Sequence, residues 1–144
     1  MRLVKQLFRH DPANGVWGDC ARTVIACLCD VPAEEVPHWH EDLSGAEQSA
    51  RHDAWLRERE ILRISIPVVA DALGKALEWG AYYSRGMAYI LAGRSRNDTN
   101  HVVICRGQEI IWDPAIDDSG VVGPCSDGYF WFEFLVLPLK GYPV

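Results

Sequence analysis

The stretch Asn100-His101-Val102-Val103-Ile104-Cys105-Arg106-Gly107-Gln108-Glu109-Ile110-Ile111-Trp112-Asp113 decides the fold. β-Branched residues fill both arms, and Gly107 lies between them, where a chain reversal needs an unusual backbone angle. The pattern predicts two antiparallel strands over residues 101–105 and 109–112, joined by a tight turn. Along such a strand His101, Val103 and Cys105 share one face. A three-residue loop Arg106-Gly107-Gln108 sets Cys105 opposite Glu109, Val103 opposite Ile111 and His101 opposite Asp113. A carboxylate directly across a ladder is close enough to fix an imidazole tautomer. A two-residue turn slides the pairing by one and brings Asp113 beside Val102 instead.

Outward from this hairpin, further strands are expected over residues 87–92, between Gly86 and Gly93, and over the aromatic stretch 129–137. Leu62, Ile64 and Ile66 alternate with Arg63 and Ser65 and add a short strand upstream. The N-terminal half carries helical periods. From Gly18 onward, Ala21, Val24, Ile25 and Leu28 follow one buried face, with Asp19 at the N-cap position and Pro32 ending the run. A second helix is expected over residues 45–60, with Ala50, Ala54, Trp55, Ile61 and Leu62 marking its inner face. Pro67 is expected to open a third helix whose inner face is Val69, Ala72, Leu73, Ala76 and Leu77, ending near Trp79-Gly80. Helices first and strands after them imply an α+β fold with a mostly antiparallel sheet. No repeat or linker divides the chain, so residues 1–144 are expected to form a single domain.

Composition excludes some functions. The 144 residues are 49% hydrophobic and 24% charged, ordinary for a globular protein, with a formal net charge of −6. An acidic chain without a basic stripe is not expected to bind nucleic acid. No stretch approaches the ~20 apolar residues that cross a bilayer, and Met1-Arg2-Leu3-Val4-Lys5-Gln6 lacks the apolar run of a secretory signal, so no membrane association and a cytoplasmic location are expected. The five cysteines are an odd number, which suits reduced thiols in a reducing compartment. Cys27-Leu28-Cys29 and His38-Trp39-His40 lack the two-to-four-residue gaps of paired structural ligands, so no metal and no cofactor are expected. His10 and His52 are read as solvated, and Asp117-Asp118-Ser119-Gly120 as a polar turn.

One cysteine stands apart. Cys20 falls in the first turn of the first helix, within Gly18-Asp19-Cys20. The positive end of a helix favours a thiolate, the form in which cysteine attacks, and an imidazolium beside the sulfur favours it further. His101 is the expected imidazole and Asp113 its orienting carboxylate. The Asp19 carboxylate would oppose the thiolate if it turned toward the sulfur, so it is expected to cap the helix backbone. Acyl chemistry also needs donors for a developing oxyanion. The N–H of Cys20 supplies one, and Gln6 or Asn14 supplies a side-chain amide. Rim positions for substrate contact are Trp17, Asp19, Ser95 and Arg96, the last two in the loop before His101. Trp112, beside Asp113, is a further rim candidate, although it is expected to pack or shield the triad rather than bind a ligand.

In their order these motifs resemble the papain-like cysteine peptidase superfamily, and in particular its small bacterial and phage peptidase-like members. The likeness rests on Gln6, Gly18-Asp19-Cys20, Val31-Pro32-Ala33-Glu34-Glu35-Val36-Pro37, His101-Val102-Val103 and Asp113-Pro114. It departs from several peptidase families at Ala21-Arg22, where a glycine commonly follows the cysteine. The resemblance implies a papain-like fold, Cys20 as nucleophile, His101 as general base and acid, Asp113 as its orienter, and Gln6, preferred over Asn14, as oxyanion donor. The implied activity is hydrolysis of an amide, isopeptide or related acyl bond in a peptide or protein substrate through a covalent acyl-enzyme. Because papain-like folds host several activities, acyl transfer, deamidation and a catalytically dispensable binding or inhibitor module stand as alternatives.

Overall fold

The computed structural model describes residues 1–38 and 44–141. It is an α+β fold with three α-helices, α1 (Cys20–Cys29), α2 (Gly45–Arg57) and α3 (Leu73–Ser84). The five strands are β1 (Leu62–Val68), β2 (Tyr89–Arg94), β3 (Asn100–Arg106), β4 (Glu109–Trp112) and β5 (Phe130–Val136). They form one sheet in the order β1-β5-β2-β3-β4, every pairing antiparallel.

Period-2 burial explains why helices cover both faces of this sheet. Ile90 and Ile104 pack with Val24, Ile25, Trp55 and Leu56 from α1 and α2. Their strand neighbours Tyr89, Leu91, Val103 and Cys105 face the other way, with Phe130, Phe132, Phe134 and Ala76 of α3. The aromatic run in β5 thus fills the α3 side. Arg63, whose side chain is almost fully buried, bonds Asp53 and Ser49 of α2 and lies near Glu133 of β5, so α2 is tied to the sheet by a guanidinium as well as by packing.

Two helix boundaries follow local rules. At α2 the Ser44 hydroxyl accepts from the Glu47 N–H while the Glu47 carboxylate accepts from the Ser44 N–H, a reciprocal capping box. At the end of α1, Asp30 takes a left-handed conformation just before Val31-Pro32. The third helix departs from expectation. Pro67 does not open it but sits inside β1 opposite Trp131, and α3 begins only at Leu73 and continues past Gly80 to Ser84. β1 pairs with β5 alone, and an edge strand tolerates the missing proline N–H.

The β3–β4 hairpin has a different turn from the one expected. Arg106 pairs with Glu109, so the loop is the two residues Gly107-Gln108, with Gly107 at φ 58°. Cys105 accordingly pairs with Ile110, but Ile104 pairs with Trp112, because a bulge absorbs one residue of β4. That shift restores the parity a two-residue turn removes. Extended by one position, the new register sets Asp113 opposite Val103, on the face of His101 and diagonal to it. Ile111 is the extra residue, and it joins Trp112 in the α1-side core.

Gly93 lies opposite His101 in the β2–β3 ladder. A Cβ there would run into Val121 Cγ1 and come within 2.6 Å of the Gly123 carbonyl oxygen. Gly93→Ala should therefore destabilise the fold by about 1–3 kcal/mol, read as a lower urea midpoint with an unchanged slope. A midpoint equal to that of the unsubstituted protein would mean that the 121–123 segment yields freely.

Candidate functional site

The first turn of α1, the start of β3 and the loop over residues 115–119 meet at a cleft of about 830 Å³, in the size range of small-molecule sites. Cys20 and His101 line it. His101 Nε2 lies 2.7 Å from Asp113 Oδ1, and the ring is also hydrogen-bonded to the Cys20 side chain. With Nε2 committed to the carboxylate, Nδ1 is the nitrogen left for the thiol. The structure brings together the three residues expected to form a triad.

Asp113 is held from several sides. Its Oδ1 also accepts from the Ala115 N–H at 2.8 Å, and Oδ2 accepts from the Gly120 N–H at 2.7 Å. Gly120 has φ 69°, a left-handed conformation that glycine adopts without strain. Burial opposes the Asp113 charge, yet His101 and these two backbone donors hold its carboxyl below the usual carboxylate range. Burial likewise opposes a charged His101, but the bonds to Asp113 and Cys20 outweigh it and raise the imidazole to about 9. At neutral pH the ring is therefore an imidazolium beside the Cys20 sulfur.

Asp19 occupies the N-cap position, and its carbonyl accepts from the Thr23 N–H, but its carboxylate does not cap the helix. It turns away to accept from the N–H groups of Leu7 and Phe8 and from Arg22 Nε. Three converging donors justify a carboxylate whose side chain is wholly buried, which corrects its expected capping role, while the residue itself lines the cleft. Its effect is to hold the N-terminal segment against α1. That segment carries Gln6, whose own N–H donates to the Pro114 carbonyl. Gln6 lines the cleft and is 9% exposed. Its Nε2 donates to the Phe8 carbonyl at 2.6 Å, which orients the amide and leaves one further N–H, while Oε1 has no hydrogen-bond partner.

The other rim candidates divide. Trp17 lines the cleft, tilted against the His10 ring. Trp112 instead packs into the α1-side core, donates from Nε1 to the Val4 carbonyl and supports Lys5 over its ring. Ser95 is buried in its own turn, its hydroxyl bonded to Thr99 and to the Asn97 N–H. Arg96 reaches the Asp117 carbonyl rather than the cleft. His10 is exposed, but its Nδ1 accepts from the Gly18 N–H. His52, expected in solvent, is 1% exposed and bonded to Gln48 and the Pro37 carbonyl. Among the described residues no group of three His, Cys, Asp or Glu is placed to hold a metal, and no helix is long and apolar enough to cross a membrane. Trp39 and His40 of the stretch considered for zinc lie outside the described residues.

Sequence reasoning missed the residues that fix the Asp113 loop. Asp117, read as part of a polar turn, accepts from Asn97 and Arg9, and Lys5 bonds both the Asp113 carbonyl and Asp118. The turn signal at Ser119-Gly120 was visible, but nothing local says that the Gly120 N–H is spent on Asp113.

The His101 pairing has a pH signature. The ring's pKa in the fold, about 9, exceeds the ordinary 6.5, so its stabilising contribution is complete below pH 6.5 and is lost as pH rises through about 9. Asp113→Asn removes the anionic partner. The stability gap between the unsubstituted protein and this variant should reach up to ~3 kcal/mol at pH 6 and shrink toward pH 10 in urea unfolding. A gap constant across that range would show that the ring is not held charged.

No protein-family model matches this chain, and neither a curated protein nor a solved structure matches it.

Proposed function

We propose that the protein is a papain-like cysteine hydrolase that cleaves an amide or related acyl bond of a peptide or protein substrate. The observation that carries this reading is the meeting of Cys20 and His101 at one cleft, with Asp113 bonded to the His101 ring at 2.7 Å and the imidazole raised to about 9. Structural ion pairs rarely set an imidazolium between a carboxylate and a half-exposed thiol at a helix start, whereas nucleophilic catalysis requires it.

In this reading the Cys20 thiolate attacks the substrate carbonyl and forms the C–S bond. The oxyanion is met by the Cys20 N–H and by the second amide N–H of Gln6. The His101 imidazolium gives its proton to the leaving amine as the C–N bond breaks, leaving an acyl-enzyme and a neutral ring. That ring then takes a proton from water, which attacks the thioester and frees Cys20. Asp113 keeps the ring oriented and its charge compensated throughout. All five thiols are free, which fits action in the cytoplasm.

Iodoacetamide with mass-spectrometric mapping tests the nucleophile. Cys20 should be alkylated at least tenfold faster than Cys27, Cys29, Cys105 and Cys125, and His101→Ala should slow Cys20 by tenfold or more. Equal labelling of all exposed thiols, or a Cys20 rate indifferent to His101, would defeat the assignment.

A further inference from the structure

We propose that Gln48 forms a carbonyl-recognition subsite in the same cleft, donating its amide N–H groups to a backbone carbonyl or side-chain carboxamide of the acyl substrate. The inference deepens the function proposed above and rests on Cys20 as nucleophile. Gln48, from the first turn of α2, lines the cleft that Cys20 lines and is only 6% exposed. One end of its carboxamide lies 2.8 Å from His52 Nε2, and the other end has no hydrogen-bond partner.

The chemistry of His52 decides which end is which. The ring is buried beneath the Pro37 carbonyl, with Nε2 2.8 Å from that oxygen. A carbonyl oxygen only accepts, so Nε2 carries the proton. Burial drives the ring's pKa down to about 4, so at neutral pH this is its only ring proton. An N–H cannot receive a hydrogen bond from a second N–H. The Gln48 atom facing Nε2 is therefore the amide oxygen, and the NH₂ group takes the position without a partner. Amide oxygen and nitrogen are nearly equal in shape, so this assignment moves no other atom.

The result is a pair of donors, unmatched, on a residue more than nine-tenths buried in a cleft wall. Buried donors in folded proteins are almost always paired, and one left unpaired at a cleft points to an acceptor that arrives with the ligand. The acceptor's class follows from charge. Glutamine brings none, and the nearby cleft-lining Arg22 is already bonded to Asp19, so a neutral carbonyl suits the subsite better than a carboxylate.

Three chloromethyl ketones that alkylate Cys20 test this: one on a plain alkyl chain, one on N-acetyl-leucine and one on N-acetyl-glutamine. The unsubstituted protein should saturate with the two amide-bearing probes at concentrations at least tenfold lower than with the alkyl probe. Gln48→Leu should abolish that preference while leaving the alkyl rate unchanged. Gln48→Glu should abolish it too, because a carboxylate still accepts from His52 but offers no N–H. Loss confined to the glutamine probe identifies a side-chain carboxamide, and loss for both identifies a backbone carbonyl. Unaltered ratios in Gln48→Leu, equal slowing of all three probes, or full preference in Gln48→Glu would each overturn the subsite. Failure of every probe to modify Cys20 would instead bring down the nucleophile assignment, and the subsite with it.

Discussion

The largely buried carboxylate of Asp113 is the constraint around which the site is arranged. A carboxylate taken out of water needs several donors, and this one receives His101 Nε2 and the N–H groups of Ala115 and Gly120. Meeting that requirement determines the path of residues 113–120, the orientation of the imidazole and, through the ring, the charge beside Cys20. Asp19 repeats the solution on the opposite side of the site, where Leu7, Phe8 and Arg22 converge on it and thereby fix the segment that bears Gln6. An acidic chain thus builds its candidate site around two largely buried anions, each met by two backbone N–H groups and one cationic side chain.

These buried bonds and the exposed ion pairs of the rim have different weights. Arg9–Asp117 and Lys5–Asp118 join the N-terminal segment to the 113–120 loop at solvent-exposed positions, where each pair contributes ~0–1 kcal/mol. Asp117 also accepts from Asn97, so one carboxylate meets the segment before Cys20, the turn before His101 and the loop after Asp113. Such ties align the walls of the cleft, but the geometry of the reacting groups is set beneath them.

What the sequence made legible was what local rules govern. The helix starting at Cys20 came from an i, i+3, i+4, i+7 pattern, the strands from β-branched and aromatic runs, and the order of Cys20, His101 and Asp113 from their places on those elements. The pairing of His101 with Asp113 was anticipated through the wrong turn. A two-residue turn alone would have separated them, and the bulge at Ile111 that rejoins them depends on how Ile111 and Trp112 both pack toward α1, which no local signal encodes. Pro67 misled for a related reason: a proline reads as a helix opener until the strand that holds it is known to be an edge. His52 and Trp112 turned inward because the carbonyls of Pro37 and Val4 await them across the fold.

The same contrast between local pattern and tertiary environment separates the five thiols. Burial pushes Cys27 and Cys29 upward, Cys105 to about 12 and Cys125 to about 11, so each is held as an inert thiol. Cys27 lies on the same helix as Cys20, two turns on, and packs against Val4. Helix membership therefore does not distinguish them. Position at the helix mouth does, because there alone a thiol can reach both the cleft and a histidine delivered by β3. The charge on that histidine is in turn set by the carboxylate that the bulged strand β4 presents.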